Sequence, residues 1–166
     1  MNAKLQRFIP YIIVLVTIQV WAFFQFSYPY SFYYKEQNQL FLLSADYVST
    51  YFDKPAWAAC LAGDYVTQYF YYMYAGAAIL AVLILLLGLT TFASLRLSRV
   101  NHWVALTISI AIMAAETSFN FNHDFRLSSM LCVQGGILVF LIHGIVLNRP
   151  LIFRIVSIAL LGVTCL

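Results

Sequence analysis

Four carboxylates stand in one segment between the first two long apolar runs, and three of them, Glu36, Asp46 and Asp64, are the residues best suited to chemistry. Carboxylates of this kind act as general bases or hold a divalent cation, so each is a candidate catalytic residue. The structural alternative is that Asp64 caps the following helix and Asp46 lies on a polar helix face. Glu36 would then pair with Lys35 or with water. We favour the structural roles and keep Glu36 as the best catalytic candidate, because it lies in the most distinctive polar string.

A further carboxylate, Glu116, stands within an apolar run, where a charge costs ~2.5–3.5 kcal/mol at the centre of a bilayer. A charged residue within a span therefore usually has a hydrogen-bonding partner or a function. Gln134 lies at a similar depth on the next apolar run, so we predict an intramembrane polar pair in which Glu116 and Gln134 share a hydrogen bond. The alternative is a proton or cation path through Glu116, His123 and Asp124.

The composition is that of a membrane protein. Charged residues make up 9% of the chain and hydrophobic residues 63%, whereas about 25% of a soluble domain is charged. The basic residues are sorted by side along the chain: Lys4, Arg7, Arg96, Arg99, Arg149 and Arg154 fall on one side of the apolar runs, and Lys35, Lys54 and Arg126 on the other. The positive-inside rule then predicts a cytoplasmic N-terminus. We expect a multi-pass protein of the bacterial cytoplasmic (inner) membrane, with no nucleic-acid partner.

Five apolar runs predict an all-α, polytopic transmembrane bundle with four full spans and a fifth partial one. The runs cover residues 8–26, 74–95, 103–121, 127–147 and 151–166. Only residues 122–126 separate the third run from the fourth, so we expect these two helices to form a hairpin with neighbouring faces. The last run reaches Leu166 without a charged or aromatic boundary, and we expect the chain to be the N-terminal part of a longer protein.

The external segment, residues 27–73, is rich in tyrosine, and its pattern predicts amphipathic helices. Apolar residues recur at 40, 43, 47 and 51, which is helical spacing. Pro55 at a first-turn position and a stop at Gly63 predict a second short helix, after which Asp64 caps the helix of the second span. We expect both short helices to lie along the outer membrane surface.

Other motifs narrow the function without defining it. The chain contains no phosphate loop, nucleophile elbow or zinc-type cysteine spacing, which argues against an ATPase or a soluble-type hydrolase. The sequence therefore identifies no metal site and no cofactor, and we interpret Cys60, Cys132 and Cys165 as packing residues. Gly135, Gly136 and Gly144 are small enough to let another helix approach closely, so they predict a helix–helix contact.

Several polar and aromatic strings carry a resemblance to a known family. They are residues 34–41 (YKEQNQLF), Asp46-Tyr47, residues 55–57 (PAW) and residues 63–72 (GDYVTQYFYY). These strings resemble the N-terminal membrane region of an uncharacterised, domain-of-unknown-function family of multi-span proteins of Bacteroidetes. The resemblance is best over residues 1–95. It implies a membrane protein whose biochemical role is unknown.

A looser similarity, in architecture alone, is to multi-span glycosyltransferases that use lipid-linked sugars. In those enzymes an acidic residue stands near the start of an external loop, and Glu36 occupies that place here. The similarity implies an enzyme acting on a lipid-linked sugar at the outer face, with the bilayer and that lipid as partners. Those enzymes commonly carry a paired acidic motif, whereas Glu36-Gln37 supplies one carboxylate. The alternative is a transporter or a non-catalytic membrane assembly subunit.

Overall fold

The structure, a computed structural model, describes residues 8–38 and 41–146, and all regular structure within them is helical. Seven α-helices and one 3-10 helix are present in this part of the chain. They are α1 (Ile9–Phe26), α2 (Tyr30–Asn38), α3 (Ala45–Ser49), α4 (Trp57–Thr67), the 3-10 helix (Gln68–Tyr71), α5 (Ala75–Leu97), α6 (His102–Phe119) and α7 (Leu127–Val146). The all-α prediction is confirmed.

Four of these helices, α1, α5, α6 and α7, are long and apolar enough to cross a membrane. Their bounds agree with the four predicted full spans to within about two residues at each end. Hydropathy predicts them well because a chain in lipid must satisfy its backbone hydrogen bonds internally, which long apolar helices do. The fifth predicted span, residues 151–166, lies outside the described residues.

Helix α5 is the centre of the bundle, since α1, α6 and α7 all pack against it. Leu80, Ile84 and Leu87 on α5 are fully buried in this packing. Gly88 lies at the point where three helices meet, and a Cβ added there would collide with Met113 of α6 and touch Ile13 of α1. Glycine at this position therefore lets the three backbones approach closely, as small residues do between membrane helices.

The prediction that spans three and four have neighbouring faces is wrong. Helices α6 and α7 each pack against α5, and the contact between α6 and α7 themselves is slight. Helix axes in contact lie ~8–10 Å apart, so two helices on either side of a third are up to ~20 Å apart. The seven residues of the connection, 120–126, can reach ~23 Å when extended. A short connection thus fixes which ends are close and leaves the packing partner open.

The segment between α1 and α5 also departs from the prediction. The helix expected around residues 40–52 is limited to α3, whose first turn is capped by Ser44 Oγ accepting from Tyr47 N at 3.3 Å. Helix α4 does not stop at Gly63 but continues to Thr67. A Cβ on Gly63 would lie 2.6 Å from the backbone nitrogen of Ser128. This glycine therefore serves a close contact with α7 and not a helix end.

Helix α4 runs beside α7, in the opposite direction, and not across the end of the bundle. Gly63 touches Ser128 near the start of α7, whereas Ala56 lines a groove with Gly135 and Gly136 further along it. The expectation that this helix lies along the membrane surface is therefore wrong. The close packing of Gly63 on the backbone of α7 holds α4 alongside α7.

Candidate functional site

The three candidate carboxylates of the external segment are not brought together. Asp64 is buried, and its Oδ2 accepts a hydrogen bond from the hydroxyl of Tyr51 at 2.7 Å. It is not the cap of α5, because it lies inside α4. Asp46 is exposed in the first turn of α3, and Glu36 is half-buried on α2. Within the described residues, no group of three or more His, Cys, Asp or Glu side chains is arranged to hold a metal ion.

The intramembrane pair takes a different form from the one predicted. Gln134 Nε2 donates to Thr90 Oγ1 of α5 at 3.2 Å, not to Glu116. Glu116 is buried, and its Oε2 has no hydrogen-bond partner among the described residues; the same holds for Gln134 Oε1. The reason is the helix arrangement, since α5 stands between α6 and α7 and takes the bond from Gln134.

A lysine that the sequence did not single out is buried at one end of the bundle. The side chain of Lys35 is 4% exposed, and its Nζ donates to the backbone oxygen of Asn120 at 3.3 Å and to Asn120 Oδ1 at 3.1 Å. Asn120 is the C-cap of α6, so the ammonium sits at the negative end of that helix dipole. Burial lowers the pKa of Lys35 from 10.5 to about 8. No spacing in the sequence signals this contact, because 85 residues separate the partners.

The same end of the bundle holds an aromatic cavity of about 220 Å³. We call this the tyrosine end: α1 finishes there, α5 begins there, and residues 120–126 connect α6 to α7. The cavity is lined by Phe24, Tyr30, Phe32, Tyr33, Phe70 and Tyr72, together with Gln25. The side-chain oxygen Oε1 of Gln25 is buried and has no hydrogen-bond partner among the described residues. A buried acceptor without a partner costs free energy, so a ligand that donates a hydrogen bond to this oxygen is favoured.

The start of α5 completes the cavity. Gly76 and Ala77 line it, and a Cβ on Gly76 would lie 2.6 Å from the ring of Phe32. Tyr74, immediately before α5, has φ 74° and ψ −21°. A bulky residue in the left-handed region costs about 1–3 kcal/mol, and such strain is concentrated at ligand sites. One feature of the sequence could have indicated this cavity, namely the density of tyrosines before the second span.

Four apolar helices and a folded aromatic cap at one end define a multi-pass membrane protein. The chain belongs to the family of unknown function DUF6057, whose model matches residues 3–166. The match therefore extends well past residues 1–95, where the resemblance in the sequence was best. No curated protein and no solved structure matches the chain.

Proposed function

We propose that the aromatic cavity binds the sugar of a lipid-linked glycan at the outer face of the bacterial inner membrane. The observation that carries this proposal is the buried, unpartnered Oε1 of Gln25 within an aromatic wall. A sugar hydroxyl supplies the missing donor, and the apolar face of a sugar ring packs on aromatic side chains. The volume of about 220 Å³ is below the ~300–1,000 Å³ of sites for drug-sized ligands, which suits a single ring.

The position of the cavity suits a substrate that arrives within the membrane. Exposed tyrosines surround the tyrosine end, including Tyr30, Tyr71 and Tyr72. Tyrosine is enriched at headgroup depth, where its ring meets lipid and its hydroxyl meets water. Arg96 and Arg99 lie at the opposite end of α5, and the positive-inside rule places them in the cytoplasm. The tyrosine end then faces outward, where lipid-linked sugars are presented to membrane-embedded glycosyltransferases.

Glu36 is the carboxylate that we assign to the reaction of such an enzyme. It lies on α2 three and four residues after Tyr33 and Phe32, hence on the turn that follows two cavity residues. In a transfer reaction the oxygen of the acceptor hydroxyl would bond to C1 of the sugar, and the bond from C1 to the polyprenyl phosphate would break. The carboxylate of Glu36 would accept the proton of that hydroxyl. Asp64 already accepts from Tyr51 and Asp46 is exposed on α3, so neither is favoured for this role.

The binding step is tested with Gln25→Leu in lipid nanodiscs, using a polyprenyl-phosphate sugar as the ligand and the same polyprenyl phosphate without sugar as the reference. Removing the acceptor should weaken binding of the sugar lipid by about tenfold, since a buried hydrogen bond with one partner removed costs ~1–3 kcal/mol. Gln19→Leu is the matched control, because Gln19 is exposed on the same helix. Equal binding by wild type and Gln25→Leu, or equal affinity for the two lipids, would refute the proposal.

Turnover is tested separately with Glu36→Gln in membranes supplied with the same polyprenyl-phosphate sugar. If the protein is a glycosyltransferase, Glu36→Gln should lose sugar transfer and retain sugar binding. Wild-type turnover in this variant would refute the enzyme hypothesis. Binding without any transfer by the wild-type protein would favour a non-catalytic assembly subunit. The observation that favours a subunit is the open groove between α4 and α7.

A further inference from the structure

The groove between α4 and α7 lies far from both ends of α7, one of the four helices that can cross the membrane. Gly63 of α4 touches Ser128 of α7, and Ala56, at the start of α4, lines the groove with Gly136. Gly136 is eight residues past Ser128, which is ~12 Å along a helix. Helix α7 has 20 residues, just enough for a hydrocarbon core of ~30 Å. The start of α4 is therefore near the middle of the membrane.

The chain that leads to this point comes from the tyrosine end. The backbone oxygen of Phe41 accepts from Gln68 Nε2, and the rings of Phe41 and Tyr65 are 5.7 Å apart. Phe41 is thus level with the last turn of α4, although α4 begins ~12 Å deeper. Residues 41–67 descend and return on the same side of the membrane. We call them the re-entrant segment.

The deepest part of the re-entrant segment is unsuited to lipid. Residues 50–56 are turns and bends and not helix, and the side chain of Asp53 is exposed there. Lys54 is exposed as well, and its Nζ lies over the ring of Tyr51 of the same copy, 4.0 Å from the ring centre. Irregular backbone at membrane depth is tolerated where protein or water covers it, and exposed charges at this depth are costly. This face of the chain therefore needs a cover other than lipid.

We propose that the cover is a second copy of this chain, docked through the groove between α4 and α7. In a two-fold symmetric contact each surface meets itself, so adjacent residues of opposite charge are self-complementary. Asp53 of one copy then pairs with Lys54 of the other. The groove has about 310 Å³ and an apolar wall of Ala58, Ala59 and Leu131 beside the two glycines.

The three glycines of α7 differ in whether they make close contacts within the chain, and this difference supports a docking face at Gly135 and Gly136. Among the described residues, a Cβ on Gly135 or Gly136 would meet no atom within 4 Å, so no contact in that part of the chain explains these glycines. A Cβ on Gly144 would collide with Leu97 of α5, so that glycine serves packing within the chain. The contact face predicted from the three glycines is thereby reduced to Gly135 and Gly136. Close approach of backbones at small residues is what drives helix association in lipid.

Charge reversal tests the contact. The full chain is labelled with donor or acceptor dyes and reconstituted in vesicles, and energy transfer is followed over a range of protein-to-lipid ratios. Wild type should associate, and Asp53→Lys and Lys54→Asp should each lose at least tenfold in self-association because like charges meet. An equal mixture of the two variants should recover association, since each supplies the charge that the other lacks. A mixture no better than either variant alone would overturn the proposal.

Gly136→Leu keeps the test decisive if a charge variant fails to insert. The added side chain meets none of the residues 8–38 and 41–146 within 4 Å of its Cβ, so the melting temperature of the dilute protein should stay at the wild-type value while association falls at least tenfold. A wild-type protein that is monomeric at every ratio, together with a lower melting temperature for Gly136→Leu, would show that residues 147–166 cover the groove. That result would overturn the second-copy assignment.

Discussion

Lys35 should make the stability of this protein rise with pH between about 8 and 10.5. Burial lowers its pKa from 10.5 to about 8, so within that range the unfolded chain carries a proton that the folded chain has released. Stability rises with pH wherever the unfolded state binds more protons. The cost of burying the ammonium is fully present below pH 8 and is relieved as the pH approaches 10.5.

The size of the effect follows from the two pKa values. Their separation corresponds to about 3 kcal/mol, at ~1.36 kcal/mol for each pH unit. Of this, about 2 kcal/mol should be recovered between pH 7 and pH 9.5 by the linkage relation. Lys35→Met removes the titration, so its stability should lose this rise with pH. It also removes two hydrogen bonds to Asn120, which costs about 1–3 kcal/mol and offsets much of the gain from removing a buried charge at pH 7.

Unfolding in detergent micelles, followed by tryptophan fluorescence from pH 7 to pH 9.5, measures the slope. Lys35→Arg is the matched control, because arginine stays charged throughout this range. Both variants should lose the rise with pH, and Lys35→Arg should be the less stable of the two at pH 9.5. The exposed tyrosines are common to all three proteins and cancel in the differences. A slope for Lys35→Met equal to that of wild type would show that the reasoning about Lys35 is wrong.

Two further substitutions test the packing of α4. Gly63→Ala should destabilise the fold by about 1–3 kcal/mol in chemical denaturation, because the new Cβ would lie 2.6 Å from the backbone of Ser128. Gly136→Ala is the control: its Cβ would meet no atom of the described part of the chain within 4 Å, so the change should stay within about 0.5 kcal/mol. Equal effects of the two substitutions would contradict this account. Tyr51→Phe should cost about 1–3 kcal/mol by the same measurement, since it leaves the buried carboxylate of Asp64 without its donor, and a neutral result would show that water replaces the hydroxyl.

The spans could be predicted from the sequence, but their neighbours could not. In a membrane, a helix surface is apolar whether it faces lipid or another helix. Its residue types therefore do not identify the helix that packs against it. Residues 75–89 of α5 carry no polar side chain, so the sequence of this stretch does not show that α6 and α7 both pack against α5 and hardly against each other. The predicted bond between Glu116 and Gln134 failed for this reason. Residue type indicated two polar side chains at similar depth, but the helix between them decides that Gln134 bonds to Thr90.

Glycine was the other source of error, because one residue type has several physical roles. Gly63 looks like a helix stop in the sequence, since glycine often ends a helix, yet in the structure it brings α4 onto the backbone of α7. Gly76 gave no signal at all, although it lets the ring of Phe32 close the aromatic cavity. The buried Lys35 was missed likewise, because its partner Asn120 is remote in the sequence. Such roles depend on tertiary contacts that a single sequence does not encode locally.

The two proposed sites are formed by different helices and can be separated by experiment. The aromatic cavity is formed by the end of α1, by α2 and by the start of α5, whereas the groove is formed by α4 and α7. Gly136→Leu should therefore weaken association of two copies at least tenfold and leave binding of the sugar lipid unchanged. Gln25→Leu should weaken binding of the sugar lipid about tenfold and leave association unchanged. If both variants instead lost both properties, the cavity would form only in the paired protein, and binding of the sugar would be linked to association by mass action.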